Sequence, residues 1–104
     1  ASLSNTEMGM LIAHLNSCIG KFPGEAEDGA SVVVTFSLTR DYQVVGEVEV
    51  SEVTGPNTGQ FLAGRAKRGV QQCENKGAGY SFLPPEKYDG ATGWNRIRVP
   101  IRPN

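Results

Sequence analysis

One histidine and two cysteines are all the imidazole and thiol metal ligands these 104 residues contain. No apolar run approaches the roughly 20 residues that cross a membrane. No basic-then-apolar leader opens the segment, so any export signal or anchor would lie outside it. Neither a phosphate-cradling glycine motif nor a nucleophile elbow is present. No basic cluster interleaved with aromatics appears, which disfavours nucleic acid as a partner. These absences leave little for an enzyme to work with.

Turn formers and a divided charge stand out instead. Thirteen glycines and six prolines promise frequent turns in a chain whose 38% hydrophobic and 20% charged residues are ordinary for one soluble domain spanning 1–104. The formal net charge is −1, yet the chain up to Gln60 carries two basic and eight acidic residues, and the remainder eight basic and three acidic. Such a split can steer a charged partner without saying anything about fold.

The hydrophobic periodicity predicts α-β-β-α-β. Ser4 and Glu7 form a capping box before Met8, Leu11, Ile12, Leu15, Cys18, Ile19 and Phe22, which recur at helical spacing. Phe22-Pro23-Gly24 ends that helix, and the acidic stretch after it reads as a solvated loop. "SVVVTFSLT" then alternates as a strand, with Val32, Val34, Phe36 and Leu38 on one face. "VVGEVEVSEV" follows as its hairpin partner, with Val44, Gly46, Val48 and Val50 inward and Glu47, Glu49 and Ser51 outward. A second helix is expected from an Asn57 N-cap to Cys73, with Arg65 on its polar side and Gly64 and Gly69 inside it. From Trp94 a last strand sets Ile97, Val99 and Ile101 against Arg96, Arg98 and Arg102, and Pro100 marks it as an edge. The fold class is α+β, with helices on one face of a three-stranded antiparallel sheet.

Two constellations could carry chemistry. His14 stands one helical turn before Cys18, which could be half a metal site or an activated thiolate. The simpler reading is a boundary histidine beside a core cysteine, because no further ligand has the spacing, so no metal or cofactor is expected. Glu47 and Glu49 lie on a solvated strand face, whereas a general acid needs a pocket that raises its pKa. Cys18 and Cys73 read equally well as two buried thiols or as a disulfide. The last strand offers more. An exposed edge presents unpaired backbone groups that are either blunted or used to capture an extended segment, and outward arginines beside a proline suit both.

The stretches "LIAHLNSCIGKFP", "VVVTFSLTRDYQVVGEVEV", "TGPN", "AKRGVQQC" and above all "LPPEKYDGATGWNRIRVPI" together resemble the C-terminal periplasmic domain of TolA, of alphaproteobacterial type, within the TolA/TonB C-terminal superfamily. The resemblance covers nearly the whole chain. It departs at Ile19, where such proteins often carry tryptophan, at a hairpin turn without Pro-Asp-Gly, and at an extended "YDGATGWN" loop.

The resemblance implies a non-enzymatic, monomeric domain at the end of a periplasmic stalk, tethered to the inner membrane by an anchor outside this segment. Its partner would be the N-terminal segment of TolB, coupling the proton-motive force to the Tol–Pal complex. Phage coat proteins or colicin translocation domains would be further partners, bound by strand addition. A TonB-like transducer binding the box peptide of an outer-membrane transporter is the alternative, and a stalk cap without a peptide partner a third reading. Docking is expected on Trp94, Asn95, Arg96, Ile97, Arg98 and Val99, with the acidic edge Val45–Val53 second. A periplasmic address also implies a Cys18–Cys73 disulfide, although helices that each run back along the sheet need not bring those ends within the about 4.4–6.8 Å a bridge requires.

Overall fold

The computed structural model describes residues 2–102. Its first helix, α1 (Asn5–Ile19), begins as the sequence predicts: the Ser4 hydroxyl accepts from the Glu7 N–H, and the Glu7 carboxylate accepts from the Ser4 N–H. These reciprocal bonds satisfy two of the amides that a helix start leaves without partners. Leu11, Leu15 and Ile19 form its buried stripe.

Strands β1 (Ser31–Leu38), β2 (Val44–Thr54) and β3 (Arg96–Ile101) form one antiparallel sheet in the order β2-β1-β3. Helix α3 (Gly59–Cys73) packs on the same face as α1. The element pattern is therefore the expected α-β-β-α-β, with a short helix, α2 (Glu25–Asp28), added before β1 and a single 3-10 turn (Pro85–Lys87) before β3. Val32, Val34, Phe36 and Leu38 of β1 meet Ile97, Val99 and Ile101 of β3 and Leu62, Ala66 and Val70 of α3 in a single core. Each such valine, leucine, isoleucine or phenylalanine, fully enclosed, contributes about 1.5–3 kcal/mol of transfer free energy.

Three local readings are corrected. The stretch read as a solvated acidic loop holds α2, and Glu25 within it is only 1% exposed. Its partner is Arg65, placed by helical periodicity on the polar side of α3 but buried here. The guanidinium bonds both Glu25 oxygens and the Ile19 and Gly20 carbonyls. Phe22 and Phe61 lie 4.4 and 5.3 Å from the guanidinium carbon, so two half-exposed rings cover the ion pair. Periodicity could not reveal this, because the partner comes from another element.

The N-cap assignment also changes. Thr58, not Asn57, stands at the cap of α3, and its own side chain makes no cap bond. Asp28, across the fold, accepts from the Asn57 and Thr58 amides, the Thr58 hydroxyl and the Asn57 side-chain amide. The third correction concerns Gly46, expected inward: it is exposed at φ +74°, where β2 is irregular.

Gly69 explains how the helices approach. A Cβ there would come within 2.5 Å of Ile19 Cγ1, so only a residue without a side chain lets α1 and α3 touch. Arg65 lies by Ile19 and Gly20, and Cys73 by His14, so the helices cross in opposite directions. The last turns of α1 thereby fall on the C-terminal half of α3, and Cys18 and Cys73 are joined in a disulfide with Cα atoms 5.8 Å apart. The helices cross near their C-terminal ends, so Cys18, one residue before the end of α1, meets Cys73, the last residue of α3, and the expected separation of those ends is not found.

Candidate functional site

Strand β3 is an edge, and its pairing parity decides what that edge offers. Leu38 donates to the Asn95 carbonyl at 3.0 Å, in the same register that pairs Phe36 with Ile97, Val34 with Val99 and Val32 with Ile101. Antiparallel pairs alternate between bonded and non-bonded. Ile97, Val99 and Ile101 therefore turn their backbone toward β1, and Arg96, Arg98 and Pro100 turn theirs outward. The free edge presents two N–H groups and three carbonyls, from Arg96, Arg98 and the nitrogen-substituted Pro100. Pro100 removes a donor the sheet does not use, so it shortens the exposed edge at no expense to the ladder.

The six candidate docking residues divide by role. Trp94, Ile97 and Val99 are buried, and the Ile97 and Val99 backbones turn to β1 while the Trp94 N–H bonds the Lys87 carbonyl, so these residues shape the edge rather than contact a partner. Trp94 stacks on Tyr42 at 4.9 Å, meets Tyr88 edge-on at 4.5 Å and donates its indole N–H to the Pro84 carbonyl. Asn95 donates to the Tyr88 and Gly90 carbonyls. These two residues precede the strand, which begins at Arg96 rather than Trp94, and they fix the angle at which it enters the sheet. Arg96 and Arg98 alone combine an exposed side chain with an outward backbone.

Both arginines are occupied. They reach across β1 on the face away from the helices, Arg96 to Glu49 and Arg98 to Glu52 of β2, and Arg96 also donates to the Ser37 hydroxyl at 2.9 Å. The span is two strand spacings, about 9–10 Å, which an arginine can bridge. All four side chains are exposed, the least so about half, so each pair is worth about 0–1 kcal/mol and yields readily to a competing carboxylate. Glu49 was legible as an outward residue. Glu52 was not, because it sits at φ +51° in an irregular stretch of β2 that breaks the alternation.

The other edge differs. Register shifts interrupt the β1–β2 pairing at two places, between Ser31 and Val33 and between Thr35 and Ser37, whereas β1 and β3 pair one-to-one throughout. Bulges twist an edge and spoil it as a template. Beside β3, by contrast, lies a cleft. Leu3 and Met8 face Trp94, Arg96, Ile97 and Arg98 across it, and farther along Ile12 and Asn16 face Pro100 and Arg102. Sequence reading assigned Met8 and Ile12 to the core stripe. They are only partly buried and supply an apolar wall along the free edge.

The remaining candidates resolve into structure. His14, Cys18 and Cys73 hold their ligand atoms within 4.8 Å of one another, but both sulfurs are in the disulfide and no thiolate is available. His14 Nε2 lies 3.0 Å from the Cys73 carbonyl and donates to it. Glu47 and Glu49 are exposed on β2. No family model, curated protein or solved structure matches the chain.

Proposed function

We propose that this is a non-enzymatic docking domain that captures an extended segment of another protein by adding it as a fourth strand beside β3. One observation carries the reading: the β3 edge is regular and open, with outward N–H and carbonyl groups at Arg96 and Arg98, while the β2 edge is broken by register shifts. Main-chain bonds supply affinity in this mode and flanking side chains supply selectivity. The resemblance to TolA C-terminal domains supplies the biological setting: a periplasmic domain tethered to the inner membrane, with the N-terminal segment of TolB as partner in the Tol–Pal system. A phage coat protein or a colicin translocation domain would use the same edge. The disulfide fits an oxidising compartment.

An Arg98→Pro substitution tests the reading. It removes an outward N–H that the sheet does not use, at a position equivalent to Pro100, so the fold should persist by circular dichroism. Binding of a synthetic TolB N-terminal peptide should fall at least tenfold by calorimetry. Arg98→Ala keeps the N–H and removes the charge, and should cost only a few-fold. Equal losses in the two variants would assign binding to the side chain and defeat strand addition. If the TolB peptide fails and a TonB-box peptide binds, the domain is the TonB-like alternative.

A further inference from the structure

The sides of the β3 cleft differ in chemistry, and strand geometry assigns one to each face of an incoming segment. Successive side chains of a strand point to opposite faces. A segment paired with β3 would therefore send every second residue to the helix side, against Leu3 and the α1 residues Met8 and Ile12. The intervening residues would lie on the outer face beside Arg96 and Arg98. Those guanidinium groups are now held by Glu49 and Glu52, carboxylates of the same chain on the same face. The intramolecular pairs show that the arginines take carboxylates in this position.

We propose that the segment captured by β3 alternates apolar and acidic residues, apolar toward α1 and carboxylate on the outer face, and that Glu49 and Glu52 hold the arginines until the incoming carboxylates replace them. This rests on strand addition at β3. Exchange of one exposed pair for another costs little, so the two glutamates act as a weak internal competitor and raise the threshold for unsuitable segments. A second copy of the chain is a poor occupant, since β3 against β3 would set arginine beside arginine.

Three synthetic peptides of eight residues test the pattern on the whole chain: alternating isoleucine and glutamate, isoleucine and lysine, and serine and glutamate. Affinity is followed by amide NMR shifts. The isoleucine–glutamate peptide should bind best, with shifts at the Arg96 and Arg98 amides. The lysine peptide should be weaker by at least tenfold, and the serine peptide weaker because it leaves the α1 wall uncovered. Glu49→Gln with Glu52→Gln should raise affinity for the isoleucine–glutamate peptide about three- to tenfold. A charge-matched Glu27→Gln with Glu86→Gln control should not.

If all peptides shift the β3 amides equally, or the two double variants behave alike, the alternating pattern is wrong and strand addition stands. If no peptide moves the β3 amides while a TolB segment does, the pattern is likewise overturned. If neither does, strand addition falls as well.

Discussion

Arg65→Ala is expected to lower the stability of this domain by about 3–5 kcal/mol, because it strands the Glu25 carboxylate in the interior. Glu25 is 1% exposed, and its two oxygens have as partners the Arg65 guanidinium and the Phe22 amide. For a chain of this size the total is of the order of 5–15 kcal/mol, so the loss is a fifth or more. The melting temperature should drop by roughly 15–30 °C. Glu25→Leu combined with Arg65→Met should recover much of it, since a buried ion pair is often replaceable by apolar groups of similar volume.

The same pair gives a signed pH dependence. Burial pushes the Glu25 carboxyl upward, but the Arg65 hydrogen bonds, the Phe22 N–H and the Arg65 charge together hold it below the usual carboxylate range. A folded-state pKa below the unfolded one stabilises above the unfolded value, about pH 4, and that contribution disappears as pH falls through the folded value. The wild-type advantage over Arg65→Ala should therefore be complete at neutral pH and shrink on acidification below about pH 4. Urea melts of both proteins at pH 7 and pH 3 check this, and a gap that widens in acid would refute the assignment.

Reduction of the Cys18–Cys73 disulfide should cost nearly as much. The bridge closes a loop of 55 residues, worth about 4 kcal/mol in the chain-entropy model. Denaturant melts with and without reductant, alongside a Cys18→Ala, Cys73→Ala variant, should agree in showing that loss. The native structure should survive it, because Gly69 packs on Ile19 and Arg65 bonds the Ile19 and Gly20 carbonyls independently of the sulfurs. A difference below about 1 kcal/mol would show that the unfolded chain is already constrained.

What could be read without coordinates follows from how local each signal is. The Ser4–Glu7 box, the alternation of β1 and the edge placement of β3 through Pro100 are written within a few residues, and the fold reproduces all three. Interactions made across the fold left no such trace. Arg65 falls on the polar side of its helix by periodicity and is buried only because α2 brings Glu25 to it. Asp28 holds Thr58 at the entry of α3 from 30 residues away in sequence, so the Asn57 reading followed a local rule that a distant carboxylate overrode. At the candidate site, the arginines were visible as outward residues. Their ties to Glu49 and Glu52, and the α1 wall beside them, required the sheet order and the bulged path of β2.

Amide hydrogen exchange at Arg96 and Arg98, with and without a bound TolB N-terminal peptide, tests strand addition most directly. In the free domain these two N–H groups point outward from the β3 edge, and their neighbours Ile97 and Val99 face β1. With strand addition, the peptide slows exchange at Arg96 and Arg98 by at least tenfold and changes Ile97 and Val99 far less. A saturating peptide that leaves Arg96 and Arg98 exchanging freely, while protecting β2 amides between Val45 and Val53, would contradict it.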